Sequence, residues 1–296
     1  MISAICDSPV LLDTENAMPW TEITRLDYAR RGLRYASDTT DAEWELIEPF
    51  LRPWSKVGRP RETDMRAVWD ASQYIGTTGC QWAMLPKEFP PFQIVQYHFY
   101  RFRDEGLFDL INDALTMASR VLSGRDAAPT AGIIVGQSVK ATESGGPCGY
   151  DEGKKTKGRK RHIVTDTEGN LLGLVTHTAD IQDRDGATDV IKMALESYPT
   201  LTQIFADGGY AGEKLRDAVA HFDGPTIEIV KRPPGITGFV VIARRWVVEC
   251  TFAWLGRCRR LAKDWERSIA SADAWTLIAA IRRSARHIAR KPVQEL

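Results

Sequence analysis

The sequence predicts a mixed α/β protein preceded by an all-helical segment. Three observations predict this. Apolar residues recur at helical spacing between about residues 40 and 122. After a polar stretch at Asp126–Thr130 the pattern changes to short apolar or β-branched runs. Those runs then alternate with helical periodicity to the end of the chain, the order expected of a sheet packed between helices.

The helical part begins at Thr40-Asp-Ala-Glu43, which has capping-box form: the Thr hydroxyl and Glu carboxylate satisfy backbone N–H groups at a helix start. Trp44, Ile47 and Leu51 share one face, and Pro53 ends the helix. Gly58-Arg-Pro-Arg61 reads as a basic loop. A second helix starts near Thr63, with Met65, Val68, Trp69, Ser72 and Ile75 inward. Gly76 to Pro91 reads as a long Gly- and Pro-rich loop. A third helix presents Val95, Phe99 and Phe102, and a fourth covers about 107–122. Short helices around a long turn suit a helix-turn-helix-like DNA-binding domain over 39–125. Helices alone also describe an ordinary helical subdomain. Residues 1–38 form an N-terminal extension, expected to be partly disordered; Met18 is a plausible start within it.

Strands are expected at Gly132–Val139, Arg161–Thr165 and Leu171–His177, with Asp166-Thr-Glu-Gly-Asn170 as a hairpin turn. A helix near 186–197, a strand at Gln203–Asp207, a helix near 212–221 and strands at Thr226–Lys231 and Gly238–Ile242 follow. Two long helices, near 244–263 and 272–290, close the chain. This order is compatible with an RNase-H-like fold over residues 131–290.

With 43% apolar and 26% charged residues the chain can bury a sizeable core. Five cysteines without CxxC or zinc-knuckle spacing argue against a disulfide framework or zinc site and fit a reducing cytoplasm. No apolar run reaches the length of a membrane span, and no signal peptide is recognisable. The formal net charge is +0, so only the distribution of charge speaks to a polyanion. Lys154, Lys155, Lys157, Arg159, Lys160 and Arg161 form one basic run. Arg244, Arg245, Arg257, Arg259, Arg260 and Lys263 form a second, and Arg282, Arg283, Arg286, Arg290 and Lys291 a third. Each could be a solvated face; three together suggest a phosphate-binding surface.

Two acids stand out. Asp207 ends an apolar strand in Ala-Asp-Gly-Gly-Tyr, where the glycines let a ligand approach the backbone. Alone it is also simply a turn aspartate. Glu249 lies in the apolar helix Arg245-Trp-Val-Val-Glu-Cys-Thr-Phe, one turn after Arg245. An isolated pair of this kind is more often a helix-stabilising ion pair. Flanked by Val247, Val248, Thr251 and Phe252, the carboxylate is expected to be only partly solvated.

Several longer motifs carry a resemblance. Thr40-Asp-Ala-Glu-Trp-Glu-Leu-Ile47, Gly58-Arg-Pro-Arg61, Gly79-Cys-Gln-Trp82 and Met84-Leu-Pro-Lys-Glu-Phe-Pro-Pro91 resemble the N-terminal domain of insertion-sequence-five-type transposases. Gln137-Ser-Val-Lys140, Gly153-Lys-Lys-Thr-Lys-Gly-Arg-Lys-Arg-His162 and Ala179-Asp-Ile-Gln-Asp-Arg-Asp-Gly-Ala187 resemble the start of their DDE catalytic domain. Ala206-Asp-Gly-Gly-Tyr210, Arg244-Arg-Trp-Val-Val-Glu249 and Trp254-Leu-Gly-Arg-Cys-Arg-Arg-Leu-Ala-Lys-Asp264 resemble its later blocks.

The resemblance implies a transposase that binds double-stranded DNA, as terminal inverted repeats and as target; it allows a homodimer and leaves the oligomeric state open. It implies three acids holding two Mg²⁺ ions, one activating water or a 3′-hydroxyl and the other stabilising the leaving oxygen. Asp207 matches the second acid, Glu249 the third, and Arg245 a supporting base. The first acid normally stands in Ile-Asp-Ser-Gln-Ser-Val. This chain reads Ile134-Val-Gly-Gln-Ser-Val139, so Val135 occupies the acid's place and Gly136 that of the serine. Valine cannot ligate a metal. Losing several kcal/mol of transition-state stabilisation slows the reaction roughly a thousandfold or more. Thr77, Ala83 and Cys250 also stand where the family usually has arginine. Of the nearest downstream acids, Asp151, Glu152 and Asp166, none is expected to substitute, because catalytic geometry tolerates little displacement. A non-catalytic DNA-binding protein derived from a transposase, and a nuclease without strand transfer, remain the competing readings.

Overall fold

The computed structural model describes residues 30, 32–51, 62–143, 145–230 and 243–290. Residues 1–29 and 31 of the extension, the basic loop 58–61, the strand expected at 238–242 and Lys291 lie outside them.

Helix α1 (Asp41–Leu51) starts on the expected box: Glu43 N–H donates to Thr40 Oγ1, and Thr40 N–H to Glu43 Oε2, both at 3.2 Å. Helix α2 (Met65–Thr78) is capped by Asp64, whose carboxylate accepts from the N–H groups of Arg66 and Ala67. It ends on Gly79 at φ 72°, a left-handed position that glycine tolerates. Met65, Val68, Trp69, Ser72 and Ile75 are buried as predicted. The loop to α3 (Phe92–Asp104) contains a 3-10 turn at Trp82–Met84, and α4 is Leu107–Leu122.

The sheet follows. Strands β1 (Ala131–Lys140), β3 (Thr156–Thr165) and β4 (Leu171–Thr178) form an antiparallel meander. A short β2 (Gly149–Asp151), not among the expected strands, pairs with the start of β3. Strand β5 (Gln203–Ala206) joins β1 in parallel, and β6 (Thr226–Ile229) joins β5 in parallel. The order β4-β3-β1-β5-β6 puts β1 at the centre. Helices α5 (Asp183–Ser197) and α6 (Glu213–Ala220) follow β4 and β5; α7 (Ala243–Leu255) and α8 (Ile269–Arg290) close the chain. This is the mixed α/β architecture of an RNase-H-like domain behind a helical region.

Neighbouring residues of each strand feed opposite cores, as the two-residue period requires. Ile134, Val164, Leu172 and Ile204 pack against Val190, Ile191, Leu215 and Val219 of α5 and α6. Ile133, Ile163, Leu171 and Phe205 pack on the other face, with α7, α8 and the N-terminal helices. That second core is shared. Trp69, Phe99, Phe108 and Ile111 of the helical segment belong to one cluster with Trp275, Ile278 and Ile281 of α8, and the Phe99 and Trp275 rings stack with centroids 4.5 Å apart. The main core of the N-terminal helices is therefore completed by α8, beside a small separate cluster of Ala71, Phe89 and Val95.

One helix is shorter than predicted. The periodicity suggests helix from 244 to 263, but α7 stops at Leu255. Gly256 and Cys258 close tight turns onto the carbonyls of Phe252 and Leu255. A 3-10 turn at Arg259–Leu261 then redirects the chain. The gain is long-range: Arg260 pairs with Glu266, donates to the Cys80 carbonyl at 3.0 Å, and lies over the Trp275 ring.

Candidate active site

The parallel register of β1 and β5 runs Ala131↔Gln203, Gly132↔Ile204, Ile133↔Phe205. Continued by two residues, it brings Val135 opposite Asp207. Asp207 ends the strand and caps the 3-10 turn Gly208–Tyr210, its Oδ1 accepting from Gly209 N–H at 2.8 Å. Val135 packs against the cluster that holds Val247, Val248 and Phe252 of α7, so residue 135 and α7 share one face of the sheet.

Glu249 lies on that helix, but it is exposed. This corrects the expectation of a partly solvated carboxylate. Val247, Val248 and Thr251 turn inward, with the Thr251 hydroxyl donating to the Gly169 and Val247 carbonyls, and the helical period carries Glu249 outward. Arg245 is in the first turn of α7; its side chain lies outside the described residues.

The basic run 154–161 divides in two. Lys154, Lys155 and Lys157 are exposed. Arg159, Lys160 and Arg161 are buried at 1%, 5% and 3% exposure, which removes them from the expected phosphate-contacting set. A cation enters a protein interior only with partners, and each has them. Arg159 forms a buried pair with Asp264 at 3.1 Å and donates to the Pro147 and Arg267 carbonyls. Lys160 lies 3.1 Å from Asp183 and 3.5 Å from Asp151. Arg161 donates to the Leu261 carbonyl at the wall of a cleft of about 300 Å³ that also touches Gln137, Lys140, Phe252 and Lys263.

Much of the third basic cluster is structural as well. Arg282 donates to the Thr77 hydroxyl, Arg283 to Asn170 and the Glu168 carbonyl, and Arg286 to the Ala36 carbonyl. Of the second, Arg257, Arg259 and Lys263 are exposed and Arg260 is buried. Thr77, half-buried under Arg282, is no open phosphate contact.

Of the acids weighed as substitutes, Asp166 is wholly buried and bound by Arg120, the side chain and N–H of Asn170, and the N–H of Glu168. Asp151 accepts from the Ser138 hydroxyl and the Lys154 N–H. The acid that sequence reasoning passes over is Asp183, at the start of α5. It lies inside a quoted motif, but nothing local shows that β1 and α5 meet there. Burial alone would raise its pKa; His162 and Lys160 beside it overcome that and bring it down to about 2.

Carboxylate oxygens suit a hard divalent cation. Asp207 and Glu249 supply them, whereas Val135 supplies a branched alkyl group, so the implied three-acid set fits in part. Among the described residues no three His, Cys, Asp or Glu side chains gather closely enough to hold a metal ion together. No described helix is long and apolar enough to cross a membrane.

Comparison with known proteins bears on the family. The family model described as "Transposase DDE domain" matches residues 127–282, more than half of the chain. One described as "Putative transposase of IS4/5 family" matches residues 39–112. A curated relative from Burkholderia cepacia, "Putative transposase for insertion sequence element IS402", is 32% identical over 117 residues, 37% of this chain and 54% of the relative. The similarity thus spans about half of that relative's length. With a family model matching more than half of its length, the chain belongs to the DDE-domain transposases of insertion sequences.

Proposed function

We propose that this chain binds the terminal inverted repeats of a bacterial insertion sequence, and that its inherited chemistry is Mg²⁺-dependent DNA cleavage and strand transfer. In this copy the catalytic step is impaired. The observation that supports the reading most is the β1–β5 register, whose continuation by two residues carries residue 135 beside Asp207. The position suited to the first acid therefore holds a side chain that cannot bind metal.

Asp207 and Glu249 are the carboxylates that would hold the ion, with Arg245 as a basic neighbour on α7. When bound, such an ion activates the attacking hydroxyl and stabilises the leaving oxygen. Lys154, Lys155 and Lys157 hold the DNA backbone through phosphate contacts, which fix position without reading sequence. Double-stranded DNA, as repeat ends and as target, is the partner, and a second copy of the chain completes the working unit at the nucleoid.

The second reading, a DNA-binding protein without catalysis, is favoured by Val135 itself. One experiment separates the two. The unmodified chain, Val135→Asp, and Val135→Asp with Glu249→Gln are each given terminal-repeat DNA and Mg²⁺. We expect binding without appreciable cleavage, recovered cleavage, and loss of it again. Joining of cut ends to a target distinguishes transfer from simple nuclease action. Strong cleavage by the unmodified chain overturns the assignment of residue 135. Restoring serine at 136 as well is unwise, because a Cβ there would lie 2.8 Å from Asp183 Oδ1.

A further inference from the structure

We propose that Asp183 is a metal-ligating carboxylate that works with Asp207, so that a divalent-cation site in this chain is built from β5 and the start of α5 without residue 135. The inference rests on the metal-dependent reading above and deepens it.

Two glycines create the space. A Cβ at Gly209 would lie 3.1 Å from Asp207 Oδ1 and 3.3 Å from Asp183 Oδ2. The two carboxylates therefore flank the same stretch of bare backbone. On its other side, Asp183 Oδ1 lies 2.8 Å from the position a Cβ at Gly136 would take. Gly136 directly follows Val135, so Asp183 reaches β1 one residue from the lost acid. It comes from the face covered by α5, opposite the face on which Val135 packs.

The two oxygens of Asp183 have different surroundings. Oδ1 faces Lys160 at 3.1 Å and His162 Nε2 at 3.6 Å. Oδ2 faces Gly209 and, across it, Asp207. Lys160 thus steadies one oxygen while the other remains turned toward the second carboxylate. Lys160 is itself held by the Ile181 carbonyl at 2.8 Å, so the carboxylate it supports has little freedom.

Independent of the acids, buried polar atoms here lack partners. Tyr210 is 1% exposed and His162 0% exposed. The Tyr210 hydroxyl and His162 Nδ1 have no hydrogen-bond partner, and His162 Nε2 has only the longer contact with Asp183 Oδ1. The Tyr210 hydroxyl is close enough to feel both Asp183 and Asp207. Buried polar groups are nearly always satisfied, and a cluster of exceptions marks a place for an ordered water or ion. A hydrated cation supplies both, since its waters can serve the hydroxyl and the imidazole. Mg²⁺ keeps several waters and is commonly held by one or two carboxylates plus substrate phosphate. The ligand class is therefore a hard divalent cation whose remaining positions go to water and a DNA phosphate oxygen.

The test titrates the full chain with Mn²⁺ alone and follows free Mn²⁺ by electron paramagnetic resonance, without DNA or turnover. The unmodified chain should bind Mn²⁺. Asp183→Asn and Asp207→Asn should each weaken binding at least tenfold, while Asp185→Asn, two residues along α5 and exposed, should leave it unchanged. Loss with Asp207→Asn but not with Asp183→Asn overturns this proposal and leaves the metal-dependent reading standing. Unchanged binding in Asp207→Asn overturns that reading itself. Melting curves accompany each variant. Should Asp183→Asn fail to fold, Gly136→Ala, which displaces the Asp183 carboxylate while keeping every charge, should also weaken Mn²⁺ binding, and unchanged affinity there overturns the proposal equally.

Discussion

The two ends of the central sheet handle their carboxylates in opposite ways. At the β3–β4 hairpin, Asp166 is wholly buried and every near neighbour serves it: Arg120 at 2.8 Å, the Asn170 side chain at 2.8 Å, and two backbone N–H groups. Arg283 closes the network by donating to Asn170. Where β5 ends, Asp183 and Asp207 stand beside a tyrosine hydroxyl and a histidine Nδ1 that have no hydrogen-bond partner. A fully satisfied polar network serves the fold, because any change leaves a group unpaired. An under-satisfied one carries a standing cost that a ligand can relieve.

The largest expected effect tests that contrast directly. Asp166→Ala leaves Arg120, 8% exposed, buried without its counter-charge. Breaking a buried pair this way costs roughly 3–5 kcal/mol, to be read from denaturant unfolding. Asp183→Asn should cost clearly less by the same measurement. An equal or larger loss would mean that the β5 end is structural too.

The basic run gives the next contrast. Arg159→Ala strands Asp264, 1% exposed, and should destabilise by about 3 kcal/mol. Replacing exposed Lys155 and Lys157 by alanine should change stability by no more than about 0.5 kcal/mol. The double variant should instead weaken DNA binding and flatten its salt dependence, the slope falling by about 0.9 for each phosphate that the chain no longer neutralises. An unchanged salt slope would make these lysines an ordinary solvated face.

Asp273 gives a pH signature. Burial pushes its pKa up to about 7, against the Thr176 hydroxyl and Arg161, which pull it down. A carboxyl whose folded pKa is raised binds a proton more tightly in the folded state. Its contribution to stability is full below about pH 4, the unfolded value, and is lost as pH rises toward 7. Asp273→Asn should flatten the fall in stability across that window, as measured by melting temperature against pH. A modest effect, smaller than those of the buried pairs, is expected at Gly79→Ala, where φ is 72° and a Cβ would lie 3.3 Å from the Arg260 backbone nitrogen. A loss of about 1 kcal/mol would calibrate the others as effects of charge rather than of any backbone change.

What can be read from the chain is local. The Thr40–Glu43 box, the Asp166–Asn170 turn and the doubly buried strands all depend on residues a few positions apart, and they form as expected. Arg159 and Arg161 do not declare themselves as interior residues, because their partners lie about a hundred residues later, at Asp264 and Leu261. Asp183 escapes notice for the same reason: its meeting with Gly136 is set by how α5 crosses β1, not by any spacing. Gly256 is a visible stop signal inside an otherwise helical pattern. Glu249 looks enclosed because its sequence neighbours are apolar, yet those neighbours point inward and turn it out.

The core shared between the first helices and α8 bears on how the protein is made. Trp69, Phe99 and Phe108 emerge from the ribosome long before Trp275 and Ile278, the residues that cover them. Translation at about 5–20 residues per second therefore leaves these aromatic side chains without their mates for many seconds. Nascent chains in that interval depend on chaperones or on rapid completion. A chain cut short before α8 would lack Trp275, Ile278 and Ile281, and would leave Trp69, Phe99 and Phe108 of the first helices uncovered.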